Sequence, residues 1–124
     1  MDLFKILAIG GLATLGIKAK KNADRDRERR NTPCYFNDGI SAGEFEEIAI
    51  SLAKPIKRLM VSVYGPVVYG EARSQSGIST WNFKLDFNDW GHITGTYWKS
   101  AGNSDSIIPD TLGNRISAEI QSRL

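Results

Sequence analysis

From Thr80 to Phe87 the chain alternates strictly, with Trp81, Phe83, Leu85 and Phe87 in one phase and Thr80, Asn82, Lys84 and Asp86 in the other. Successive side chains of an extended backbone point to opposite faces, so this run is a strand with one apolar and one polar face. One strand cannot bury four large side chains by itself. Other strands must pair beside it, and something apolar must cover that face.

The sequence supplies both. Period-two runs at Leu59 to Tyr64, Val67 to Ser74, Ser79 to Phe87 and His92 to Lys99 are separated by tight-turn residues, the pattern of an antiparallel meander. Matching small residues to large ones sets Val68, Gly70 and Ala72 opposite Leu85, Phe83 and Trp81, and Gly65-Pro66 places Leu59, Val61 and Val63 on the same face. Gly91 suits the left-handed position of a three-residue loop, Asp89-Trp90-Gly91. That loop would set Phe87 opposite Ile93, Leu85 opposite Gly95 and Phe83 opposite Tyr97.

Two helical segments flank the strands. Ser41-Ala-Gly-Glu44 has the form of a capping box, Phe45, Ile48, Ala49 and Leu52 follow at helical spacing, and Pro55 ends the run. Pro109 stands near a second helix start, with Ile108, Leu112, Ile116 and Ile120 on one stripe. The expected fold is α+β: a four-stranded antiparallel β-meander with two helices packed on one face, in the order α-β-β-β-β-α, preceded by an N-terminal apolar helix. The expected divisions are an apolar helix and membrane anchor at 1–19, a charged linker and loop at 20–40, and the α+β domain at 41–124.

The anchor reading rests on the uncharged run from Ile6 to Ile17, bounded by Lys5 and Lys18 and followed at once by a charge cluster. Its apolar residues surround the helix axis, with no polar stripe. The run is shorter than a standard bilayer span, so spanning requires the lysines to snorkel and the bilayer to thin. Asp2 in the leading segment and the lack of a clear cleavage site argue against a signal peptide. The cations after the run outnumber those before it, which puts the folded domain on the cytoplasmic side of a single-pass membrane protein.

Charge is divided unevenly. Residues 1–31 hold eight Lys/Arg against four Asp/Glu, and residues 32–124 hold eight against ten. Nucleic-acid binding by the folded part is therefore disfavoured, because phosphate contacts need positive charge on the folded surface. The single cysteine, Cys34, forms no intrachain disulfide, and one cysteine with one histidine cannot make a structural zinc site.

With the helices on one face, the other displays Tyr64, Tyr69, Glu71, Arg73, Asn82, Lys84, Asp86, His92, Thr94, Thr96 and Trp98. Aromatic residues among polar groups are what binding surfaces are made of, and Tyr64, Tyr69, Arg73, Lys84, His92 and Trp98 are the candidate binding residues. The competing reading is a solvated face carrying cross-strand pairs such as Glu71 with Lys84.

Catalytic chemistry finds little support. Asp86-Phe-Asn-Asp-Trp-Gly91 superficially matches a calcium loop, but Trp90 and Tyr97 stand where oxygen ligands are needed, so it reads as a hairpin turn. His92, Asp86 and nearby serines lack a nucleophile elbow and a site that excludes water. No catalytic residue, metal ligand or cofactor is assigned. The leading expectation is a non-catalytic interaction domain, tethered to the membrane through residues 3–19, that binds a protein partner, a second copy or the membrane surface through its outer sheet face. The alternative is a soluble small-ligand binder or small hydrolase-like enzyme that uses the polar loops at 74–77 and 102–106.

Overall fold

The computed structural model describes residues 28, 31–34, 36, 40–103 and 105–124. The apolar stretch at 1–19 lies outside them. Helix α1, Ala42–Ala53, begins as its sequence dictates: Ser41 Oγ accepts from Glu44 N at 3.1 Å, and Glu44 Oε1 accepts from Ser41 N at 3.1 Å. These reciprocal bonds satisfy amides that a helix start leaves without partners. Phe45, Ile48, Ala49 and Ala53 are the buried stripe.

Strands β1 (Leu59–Tyr64), β2 (Val67–Arg73), β3 (Thr80–Asp89) and β4 (His92–Ala101) form one antiparallel sheet in that spatial order, and helix α2 (Ile108–Arg123) closes the chain. The fold is therefore the expected α-β-β-β-β-α arrangement. The register of the first three strands follows the size-matching rule: Val68 faces Leu85, Gly70 faces Phe83 and Ala72 faces Trp81. Gly70 makes this possible, since a Cβ there would stand 2.2 Å from the Phe83 ring.

The β3–β4 pairing differs from expectation. Its turn has two residues, not three: Asp89 faces His92, and Trp90 and Gly91 both have positive φ, at 54° and 99°. Beyond the turn, Asn88 faces Ile93 while Asp86 faces Trp98, so β4 carries three extra residues in a bulge. Phe83 consequently lies opposite Ala101 and Leu85 opposite Lys99, in place of Tyr97 and Gly95. Gly95 sits in this bulge at φ 101°, where a Cβ would come within 3.1 Å of Ser117 O on α2. The continuous ladder that the matching rule assumed is thus broken where β4 passes close to α2. Away from the turn the displacement is even, so Tyr97 still faces the core and Trp98 the opposite side.

The core lies between the inner sheet face and both helices. Phe45 and Phe87 ring centroids are 5.4 Å apart, and Phe87 and Tyr97 are 5.5 Å apart. Leu112, Ile116 and Ile120 of α2 are fully buried beside them. Ile40 is also buried, and Cys34 and Phe36 pack against the same core, so part of the segment expected as linker belongs to the folded unit.

Candidate functional site

The outer sheet face divides into a covered half and an open half. Over β3 and β4 Asp86, Asn88 and Trp98 are buried, and the chain at Thr32 and Pro33 straps against the hairpin end of this half. Asn88 holds it: its Nδ2 donates to Thr32 O at 2.7 Å, its Oδ1 accepts from Gly91 N at 2.8 Å, and its backbone N donates to Asp86 Oδ1 at 2.9 Å. One buried amide thus ties the strap, the hairpin turn and the strand together. The Asp86–Gly91 motif is a turn, as its spacing suggested.

This covering changes the candidate set. Trp98, expected to be exposed, is only 5% exposed, and Asp86 and Asn88 are buried with it. Trp98 offers no surface to a partner. The alternation places it outward correctly, but strand parity alone does not show that this part of the outward face is buried. The Cys34 thiol is pushed above its ordinary value by burial and by the nearby Asp86 carboxylate, so it stays a protonated, weakly nucleophilic thiol at neutral pH.

Over β1 and β2 the face is open. Tyr64 is 68% exposed and Tyr69 43%, and their rings meet edge to face with centroids 5.7 Å apart. Met60, 65% exposed, belongs to the same face. A shallow depression of about 440 Å³ runs between Met60, Ser62, Tyr69, Glu71 and Asn82, floored by the backbone of Val61, Gly70 and Phe83. Lys84 stands opposite Tyr69, and Glu71 stands opposite Asn82, so the anticipated Glu71–Lys84 pair is diagonal instead of direct. Arg73 is exposed at the far end of β2, and His92 is exposed at the β3–β4 turn.

Of the six candidate residues, then, Tyr64 and Tyr69 touch, Lys84 adjoins them, and Arg73 lies along the same strand as Tyr69. His92 and Trp98 lie apart on β4. Met60 was missed, although its place in the outward phase of β1, between the inward Leu59 and Val61, was readable from the alternation.

No protein-family model, curated protein or solved structure matches this chain. Function must be read from the chemistry of its surfaces. Among the described residues no group of three or more His, Cys, Asp or Glu is placed to hold a metal ion. No described helix is long and apolar enough to cross a membrane.

One polar cluster joins the buried Tyr97 to partly exposed groups at the start of α2. Tyr97 Oη lies 2.8 Å from Asp110 Oδ1 and 3.0 Å from Asn114 Oδ1, and Lys99 Nζ lies 2.7 Å from Asp110 Oδ2. Burial raises the Tyr97 phenol well above its ordinary value, and the Asp110 charge adds to the shift. The phenol therefore stays neutral and donates its proton to Asp110. The cluster fixes the first turn of α2 to β4. The 74–79 loop is likewise absorbed by its own geometry: Ser74 Oγ accepts from Ser79 N at 3.2 Å, and Gly77 N donates to Ser74 O at 3.0 Å. In the other polar loop, Asp105 N donates to Asn103 Oδ1 at 3.0 Å.

Proposed function

We propose that this chain is a non-catalytic interaction domain carried on an N-terminal membrane anchor, and that its open outer face binds a protein partner. The observation that carries the reading is the exposed Tyr64–Tyr69 pair beside Met60, over a depression rimmed by Ser62, Glu71 and Asn82. Folding does not account for it, because the core lies on the other side of the sheet. Exposed aromatic and methionine side chains among polar groups give a partner apolar area at small conformational cost, with hydrogen-bonding groups at the rim.

The tether keeps its support from the sequence: the uncharged run from Ile6 to Ile17 and the cations that follow it, which favour a cytoplasmic domain. The alternative use of the 74–77 and 102–106 loops for a small ligand draws less support, since amides in both are engaged within the loops.

Carbonate washing of membranes from expressing cells tests the tether. The intact chain should stay with the membrane; recovery in the wash contradicts attachment. Lysine-reactive cross-linking of those membranes tests the face. Adducts formed by the wild-type chain should be lost in Tyr64→Ala/Tyr69→Ala at equal expression and unchanged melting temperature. Adducts of equal yield in the variant contradict the assigned surface.

A further inference from the structure

β1 is an edge of the sheet. One bond fixes the phase of its backbone: Arg73 N donates to Arg58 O at 3.0 Å, so Arg58 faces Arg73 as a hydrogen-bonded pair. Such pairs alternate along an antiparallel ladder, so Met60, Ser62 and Tyr64 turn their amides and carbonyls toward β2. Leu59, Val61 and Val63 turn theirs outward. Among the described residues no strand pairs with those six groups. Natural edges are ordinarily blunted by charge, proline, bulges or brevity. Leu59–Tyr64 has none of the first three, and its pairing to β2 is regular over all 6 residues.

We propose that β1 pairs antiparallel with β1 of a second copy, about a two-fold axis through Val61, making one continuous eight-stranded sheet. This goes beyond the reading of the outer face as an interaction surface: the copy pairs along the edge beside that face and joins two such faces into one. The register is set by satisfaction of the backbone. With Val61 on the axis, Leu59 faces Val63 of the copy and Val61 faces Val61 of the copy, so all six outward groups find partners within the two strands. Centring the axis on Met60 or Ser62 leaves two of them facing turn residues.

Side chains suit the same arrangement. Met60 falls opposite Ser62 of the copy, and no charged residue of β1 meets another, since the strand has none. The exposed Arg58 comes to the end of the ladder beside Tyr64 of the copy, a cation against an aromatic ring. Both outer faces then lie on one side, joining two Met60–Tyr64–Tyr69 patches, and the helices stay together on the other. A two-fold contact requires such a self-complementary surface.

Disulfide trapping tests the register. Residues opposite each other in a non-hydrogen-bonded pair lie about 4.5 Å apart at Cα, within the range a disulfide bridges. In the full chain in mild detergent, on a Cys34→Ser background, Met60→Cys/Ser62→Cys should oxidise to a covalent dimer at least tenfold faster than either single substitution. Separately, Met60→Lys/Ser62→Lys should sediment as a folded monomer, with the wild-type far-UV circular dichroism spectrum, at concentrations where the wild type is a dimer, because both positions are exposed in the single chain. No covalent dimer, single substitutions that link as fast as the pair, or a lysine variant that stays dimeric would each overturn the proposal. If cross-linking at the tyrosine face captures a different protein while the chain remains monomeric, the surface reading stands and the pairing falls.

Discussion

Gly113 of α2 lies directly against the Tyr97 ring: a Cβ built there would stand 2.6 Å from Tyr97 Cζ. The ring cannot give way, because it is fully buried and held at its hydroxyl by Asp110 and Asn114. Gly113→Ala should therefore destabilise the fold by about 1–2 kcal/mol, overpacking outweighing the roughly 1 kcal/mol that alanine gains over glycine in a helix. Gly43, in α1, has nothing within 4 Å of the position a Cβ would take. Gly43→Ala should show the propensity gain alone, about 0.5–1 kcal/mol of stabilisation. Urea denaturation of both variants checks the contrast, which reverses if the close approach at Gly113 is relaxed in solution.

The Tyr97 phenol makes stability depend on alkaline pH. Its folded value is raised above the ordinary 10.0, so between those values the unfolded chain has released a proton that the folded chain retains. The unfolded state then binds fewer protons, and stability falls as pH rises above about 10, by up to about 1.4 kcal/mol per unit. Tyr97→Phe should flatten this dependence while costing about 1–2 kcal/mol at neutral pH for the lost hydrogen bond and the altered Asp110 environment. Equal slopes in the two proteins between pH 9.5 and 11 would contradict the burial of this phenol.

Asn88→Ala removes two side-chain hydrogen bonds at a buried position, to Thr32 and from Gly91. A loss of about 2–4 kcal/mol is expected, since a carbonyl and an amide lose their partners together. The same substitution should free the chain around Cys34, so thiol alkylation at neutral pH should accelerate at least tenfold while the protein remains folded. Unchanged alkylation would mean that the strap is held by other contacts.

Trp90 occupies the left-handed region at φ 54° in a two-residue turn followed by Gly91. Asn-Gly is the favoured pair there, because asparagine tolerates this conformation better than a bulky side chain. Trp90→Asn should stabilise the domain by about 0.5–1 kcal/mol, read as a rise in melting temperature. A fall would show that the indole contributes packing that exceeds its strain.

How much of this was legible in the sequence follows from which signals are local. The Thr80–Phe87 alternation, the Ser41–Glu44 box and the Gly65-Pro66 turn each act within a few residues, and they led to the element order and to the register of β1, β2 and β3. The β4 bulge brings Gly95 close to Ser117, which is remote in sequence, and only a glycine within a strand hinted at it. Burial of Trp98, Asp86 and Asn88 on the outward face is not set by strand parity, and the Asn88–Thr32 bond joins that face to residues that read as a charged linker. Tyr64 and Tyr69 were found because alternation alone places them outward. His92 was placed on the same face by parity, but the turn carries it to the far edge of the sheet.

The central claim is that the Tyr64–Tyr69 face is kept for association and contributes little to folding. The most direct measurement places a photo-cross-linking phenylalanine analogue at Tyr69 in the full chain, in cells, with the same analogue at the exposed Ser51 of α1 as control. Illumination should give a discrete adduct from position 69 and none from position 51, with a melting temperature within about 2 °C of wild type for the position-69 variant. Monomer alone from position 69, or the same adducts from both positions, would contradict it.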